Sequence, residues 1–384
     1  MEYPDKLGVY RVGDFKFYSK LEAIEMHAKT GIHPHWDFNE AVFSSYDWTI
    51  EPQESIAELY RRRAQQLREK YDYIVLMFSG GADSVEVLQS FVDNDIKLDE
   101  AVSFMSYNAT GDKDQFFNSE FFRVSVPMIQ QLKTQHSWLK HRVIDLTDFI
   151  VDYYNKDQNK FDWIYEMNMC LGPNNACRES LPLKIKDWAD IINSGKKFCA
   201  LWGHDKPRVT HEHGQFLFKF IDFVDSAATV KSMSGQQPYT DELFYWTPDL
   251  PELLIKQGHI IKNYLSLPNI DRLPFVSKEK SDLAYRQLNN TKYWLSNHGV
   301  HTLIYPSWNI NTFSAGKASS PIFTERDQWF FNLNDEHTIK KNWHTGLDKL
   351  WKTVPDYWKN APTNMRQGLK ACWSKDYLLG EFLD

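Results

Sequence analysis

Six consecutive residues, Ser79-Gly80-Gly81-Ala82-Asp83-Ser84, combine two hydroxyls, two adjacent glycines and a carboxylate. Adjacent glycines let a backbone turn tightly and approach a ligand closely. The hydroxyls of Ser79 and Ser84, together with free backbone N–H groups, suit an anion. A carboxylate beside bound phosphates suits Mg²⁺, which makes Asp83 a candidate metal ligand. Asp83 is equally an ordinary helix cap, so a plain strand-to-helix turn is the competing reading. A second group, Gly203-His204-Asp205-Lys206-Pro207, holds Asp205 as a partner carboxylate for the metal and Lys206 as a cation for pyrophosphate or the α-phosphate. Its competing reading is a Gly-Pro punctuated turn with surface charges.

The flanking patterns say what must position these residues. Tyr73–Phe78 is an apolar run of strand length, and after the loop Val85, Leu88 and Val92 fall on one helical face. The expected unit is buried strand, glycine turn, helix, with the helix N-terminus as an anion site. Further strands are expected in Leu98–Met105, His141–Leu146 and Phe198–Trp202, separated by helices over Gln115–Leu132, 148–155 and Lys184–Ser194. Strands alternating with helices at this spacing imply an α/β fold with a doubly wound parallel sheet. Ligands of such sheets sit at the carboxyl ends of the strands. That rule marks Ser79–Ser84, Ser106–Asn108, Asp145 and Gly203–Lys206 as a common rim.

The loop is neither a Walker A sequence nor G-x-G-x-x-G, since no Lys follows the glycines. It resembles the SGGxDS pyrophosphate loop of the N-type ATP pyrophosphatases, the adenine nucleotide alpha hydrolase-like (HUP) superfamily, which includes the synthetase domain of asparagine synthetase and phosphoadenylyl-sulfate reductase. The resemblance implies that ATP and Mg²⁺ are bound, with Ser79, Gly80, Gly81, Ala82, Asp83 and Ser84 on the phosphates. It also implies cleavage between the α- and β-phosphates. Adenine would lie near Tyr107 or Met105, and Gly203 would border the nucleotide. A second downstream aspartate, placed at Asp205 by topology, and a late lysine, for which Lys317 after Gly316 is the candidate, follow from the asparagine synthetase branch. The implied activity is an AMP-forming ligase or synthetase that adenylates a carboxylate or carbonyl acceptor for attack by an amine or ammonia. A glutaminase of that branch would carry a cysteine after the initiator Met; Glu2 stands there, so ammonia or an amine is the expected nucleophile. Two other readings stay open: a sulfur-transfer or reductase-like enzyme, and a non-catalytic ATP-binding module. Cys372 in KACWSKDY fits a reductase segment poorly.

Composition sets the outer limits. No apolar run nears 18–20 residues and mean hydropathy is −0.53, so a membrane span is not expected. The N-terminus shows no basic region followed by an apolar one, and four irregularly spaced cysteines suit a reducing cytoplasm. A net charge of −7 does not favour nucleic acid, although Arg61-Arg62-Arg63 and Arg68 form a local basic cluster on an amphipathic helix over Ser55–Tyr71. Three parts are expected: a small N-terminal α+β unit (1–54) with a hairpin around Gly13-Asp14, an ATP-binding core (55–235), and an aromatic-rich, mainly helical C-terminal region (236–384). The acceptor is unread, and nothing in the sequence settles oligomeric state. The loop holding Cys170, Asn174, Asn175, Cys177 and Arg178 reads as substrate- or nucleotide-binding, as plain, or as a metal site, although six residues between the cysteines miss the usual zinc spacing. His204, His211 and His213 are close enough to suggest a metal, with 211 and 213 on one face if both lie in a strand.

Overall fold

The computed structural model describes residues 5–110, 120–156, 159–166, 172–173, 181–204, 207–222, 229–267, 303–307, 327–359 and 369–381. At the N-terminus the alternating stretch folds as a hairpin. Strand β1 (Val9–Val12) pairs antiparallel with β2 (Phe15–Phe17), and β3 (His35–Asp37) takes the other edge of β1. The Lys20–Thr30 helix connects the two edges and stops at Gly31, whose φ of +74° ends a helix without strain.

The core strands are β4 (Tyr73–Met77), β5 (Glu100–Met105), β6 (Lys140–Asp145) and β7 (Phe198–Trp202). They are followed by β8 (Arg208–Glu212), β9 (Gln215–Lys219), β10 (Thr240–Leu243) and β11 (Tyr377–Glu381). One sheet runs β10-β7-β4-β5-β6, and every neighbouring pair in it is parallel. This is a Rossmann-like α/β arrangement. From β4 the chain steps outward to β5 and β6, then returns to lay β7 and β10 on the other side. The strand order therefore reverses between β4 and β7, the kind of point at which open α/β sheets bind ligands.

Two helices frame β4. The Ile56–Lys70 helix begins in a capping box, with the Ser55 hydroxyl accepting from Glu58 N–H and the Glu58 carboxylate accepting from Ser55 N–H. The Ala82–Val92 helix starts immediately after the glycine turn and buries nearly all its residues.

The fifth strand, β10, falls in the region beyond 235, where helices are expected and where the described elements are mostly helical. Its sequence, TDEL, lacks an apolar signature because its two acidic residues are buried with partners. Asp241 accepts from Ser232 Oγ (2.5 Å) and Trp202 Nε1 (2.8 Å). Glu242 is wholly buried among Lys6, Arg63, Lys70 and Tyr71, and the three cations hold its carboxyl at about 2 against the penalty of burial. The same region adds β11, which pairs with β9 to complete a β11-β9-β8 antiparallel sheet. Long helices at Pro251–Leu265 and Thr338–Thr353 make up much of the remainder described there. Aromatic packing joins the ends of the chain: Trp48 lies 4.9 Å from Phe218 and 4.6 Å from Tyr377 between ring centroids.

Candidate functional site

The six-residue loop leaves β4 at the point where strand order reverses. Gly80 has φ of +82°, and a Cβ there would stand 2.9 Å from Ser125 Cβ and 3.0 Å from Ser125 Cα. Both conformation and space therefore require glycine. Ser125 is itself fixed: it ends a π-helical turn, Glu120–Ser125, and its hydroxyl lies 2.7 Å from Ser103 Oγ, which donates to Phe78 O (3.1 Å). The first glycine is thus wedged against the entrance of the next crossover helix.

The two loop hydroxyls shape the loop itself. Ser84 is buried; its Oγ accepts from Gly80 N–H (3.1 Å) and donates to Gly81 O (3.1 Å). Ser79 Oγ accepts from Gly81 N–H (3.2 Å) and lies 3.2 Å from Ser84 Oγ. Ser79 remains exposed, so of the pair its hydroxyl is the one presented outward. Asp83, half-buried, occupies the first turn of the helix, where a carboxylate is stabilised by the helix dipole.

Two other strand-end segments close on this turn. A Cβ on Gly203, directly after β7, would stand 3.0 Å from both Asp83 C and Ser84 N. The loops after β4 and β7 therefore touch backbone to backbone, and only glycine permits that approach. From the segment after β10, the buried Tyr245 hydroxyl donates to Asp83 O (2.7 Å). Ser125 and Tyr245 escaped the sequence reading. Ser125 carries no local signal, whereas Tyr245 would have been marked by the strand-end rule had β10 been recognised.

On the β5 side, Tyr107 opens a short helical turn, Tyr107–Thr110, and is half-buried, 6.0 and 6.4 Å from the rings of Phe121 and Phe122. Met105 is 3% exposed, which leaves it in the core rather than on the rim. Trp329 Nε1 donates to the buried Ser106 Oγ (3.0 Å), bringing a C-terminal aromatic to the same edge. Asp145 accepts from Asn108 N–H (3.1 Å), Thr147 N–H (2.9 Å) and Thr147 Oγ1 (2.7 Å), so its carboxylate ties the β5 and β6 loops together. Asp205, Lys206 and Lys317 lie outside the described residues, as do Cys170, Asn174, Asn175, Cys177 and Arg178.

Behind the loop, Glu86 is 4% exposed and accepts from Ser307 N–H (2.8 Å). Burial pushes its carboxyl up to about 7, against the opposing pull of Ser307. Tyr60 donates to Ile304 O, and Tyr305 packs on Tyr245 at 5.2 Å. A short piece of the C-terminal region, 303–307, is thereby seated on the loop's helix.

The basic cluster does not form a phosphate-facing stripe. Arg63 is 1% exposed and bound to Glu242 and Asp249, Arg62 to Glu54 and Glu252, and Arg68 to Asp99. The histidines separate as well. Strand β8 ends at Glu212, His213 sits exposed in the following turn at φ of +51°, and the His211 ring packs tilted against Phe216 with centroids 4.7 Å apart. Among the described residues no group of three His, Cys, Asp or Glu side chains is arranged to hold a metal ion. Cys199 and Cys372 are both buried. Among the described residues, no helix is long and apolar enough to cross a membrane. No protein-family model and no curated protein matches the chain.

Proposed function

We propose that the chain is a HUP-type ATP pyrophosphatase: an AMP-forming ligase that adenylates an acceptor carboxylate or carbonyl oxygen for displacement by an amine or ammonia. One juxtaposition carries the reading. The Ser-Gly-Gly-Ala-Asp-Ser turn stands at the reversal of strand order, opens a buried helix, and has Gly203 packed on Asp83 and Ser84. The crevice at such a reversal is where α/β sheets bind nucleotides.

The residues fit the chemistry through their donor set. The first N–H groups of a helix have no intrahelical acceptor and favour negative charge. With the Ser79 hydroxyl they suit the β- and γ-phosphates. Asp83 at the same turn suits a Mg²⁺ ion, with Asp205 as its proposed partner; when bound, the ion would neutralise charge on the phosphates. The acceptor oxygen attacks the α-phosphorus, the bond to the bridging α–β oxygen breaks, and pyrophosphate leaves onto the loop. The amine then attacks the adenylated carbon and expels AMP. Lys206 and Lys317 are the proposed cations for the charge developing at the α-phosphate. The loop contributes rigidity: clamped by Ser125, Gly203 and Tyr245, its donors need no reorganisation when charge moves onto pyrophosphate.

A thiol-based reductase reading gains nothing from Cys372 or Cys199, which are 3% and 0% exposed. The deciding experiment is incubation with α-labelled ATP, Mg²⁺ and candidate acceptors, resolving AMP from ADP. AMP with pyrophosphate is expected. ADP would overturn the assignment, and saturable ATP binding with no turnover on any acceptor would favour a binding module.

A further inference from the structure

The two neighbouring acids of β10 have opposite surroundings. Asp241 and Glu242 are successive strand residues, so their side chains leave opposite faces of the sheet. Both are buried. Glu242 meets three cations. Asp241 meets two neutral donors, Ser232 Oγ (2.5 Å) and Trp202 Nε1 (2.8 Å), and among the described residues no lysine or arginine pairs with it. Burial pushes its carboxyl up to about 6, against the pull of those two donors, so it is still ionised at neutral pH. A buried carboxylate without a counter-charge is costly. Beside it lies a cavity of about 10 Å³, room for one water-sized molecule. The cavity's polar lining is Asp241, Ser232 and Thr229, and its aromatic lining is Trp202 and Tyr239. The Thr229 hydroxyl accepts from Ser232 N–H (3.4 Å), which holds the two hydroxyls together. Met77 also lines the cavity. Met77 and Trp202 are the last residues of β4 and β7, so the cavity lies at the strand ends that carry the Ser79–Ser84 and Gly203 loops.

We infer that this cavity binds one ammonium ion, with the Asp241 carboxylate as its counter-charge and the Ser232 and Thr229 oxygens and the Trp202 and Tyr239 rings as its walls. Size and charge select the class of ligand. Mg²⁺ keeps several waters of its shell and needs more room than one molecule. A water molecule fits but leaves the carboxylate's charge unanswered. A small monovalent cation answers it, and aromatic rings favour a cation that has shed its water. Ammonium differs from a metal cation in carrying N–H donors, which a carboxylate and hydroxyl oxygens accept as charge-assisted hydrogen bonds. The choice of ammonium among monovalent cations rests on the ligase reading, in which ammonia is a candidate nucleophile. An ion held at the ends of β4 and β7 is collected beside the rim where the acceptor is adenylated. To act there it gives one proton to water, and the ammonia so formed attacks the adenylated carbon and expels AMP.

The test is thermal unfolding of the full chain without nucleotide, in ammonium chloride against sodium and potassium chloride at equal ionic strength, for the wild type and Asp241→Asn. The wild type should show a saturable, ammonium-specific rise of about 1–3 °C in midpoint. Asp241→Asn keeps the side chain's shape and removes the buried charge, so it should fold and lose that rise. A second measurement needs no variant: titration of the wild type with ¹⁵N-ammonium should give a bound resonance with cross-relaxation to the Trp202 indole and Tyr239 ring protons. An equal rise in potassium or sodium, an ammonium-specific rise retained by Asp241→Asn, or no bound ¹⁵N resonance would overturn the inference. None of these readouts uses ATP, so the two failures are distinguishable. ADP in the labelled-ATP experiment strikes the ligase reading, whereas absence of ammonium binding strikes this site and leaves a ligase with another nucleophile.

Discussion

At the scale of single residues, Gly80 and Asp83 bear different burdens. Gly80 is required by geometry, so Gly80→Ala should both strain the backbone and push Ser125 away. A loss of about 1–3 kcal/mol of unfolding free energy is expected in urea denaturation, together with weakened ATP binding by calorimetry. Asp83 is half-buried in the first turn of its helix. Asp83→Asn should keep the circular dichroism spectrum and cost no more than about 1 kcal/mol of stability, while lowering AMP release by about 10²–10³-fold. Full activity in that variant would remove the proposed metal role. Both residues were legible in the sequence because glycine pairs and capping carboxylates carry local meaning. Ser84 was half-read: its place in the loop was evident, but not that its hydroxyl turns inward to Gly80 and Gly81.

At the scale of elements, the lesson lies in buried charge. Helix Ile56–Lys70 was legible from its apolar period and its Ser55/Glu58 cap. That Arg63 on it is a core residue was not, because its partner Glu242 is 179 positions away. Strand β10 was missed for the same reason, since acidic residues look like surface until their cations are found. The carboxyls give the fold an opposed pH response. Glu242, depressed to about 2, adds stability above the ordinary carboxylate range and loses it as pH falls through about 2. Glu86, raised to about 7, acts in the opposite sense: its contribution is complete below its unfolded value and is lost as pH rises through about 7. Glu86→Gln keeps an acceptor for Ser307 N–H but cannot ionise. Between pH 5 and 8 the wild type should therefore lose up to about 3 kcal/mol more unfolding free energy than the variant, as measured by urea titration at each pH. Equal slopes for the two proteins would exclude ionisation of Glu86 in this window.

At the scale of the whole molecule, Asp222 ties distant parts of the chain together. It accepts from Lys20 Nζ (2.6 Å), Tyr10 Oη (2.9 Å) and Cys372 N–H (2.9 Å), and both Lys20 and Asp222 side chains are fully buried. The N-terminal helix, the N-terminal sheet, the end of the β9 arm and the C-terminal segment meet at one carboxylate. Removing a single partner leaves a buried charge uncompensated, so Lys20→Met should lower stability by about 3–5 kcal/mol. The double change Lys20→Met with Asp222→Asn should recover part of that loss, because no ion is then left alone. Denaturant unfolding of the wild type, Lys20→Met, Asp222→Asn and the double variant checks the pair, and additive losses would argue against coupling.

By itself the sequence determined what is local: the strand–glycine turn–helix unit, the N-terminal hairpin, the alternation of strands and helices, and hence a parallel sheet with a rim at its strand ends. Periodicity, capping and glycine conformations act over a few residues, so they are written where they operate. Only the tertiary structure decided the strand order that puts Ser79–Ser84 at the reversal, the contact of Gly203 with Asp83, the clamp by Ser125 and Tyr245, and the burial of Arg63 and Glu242. Each of these depends on which distant group satisfies a backbone atom or a charge once water is excluded, and that choice has no local signature.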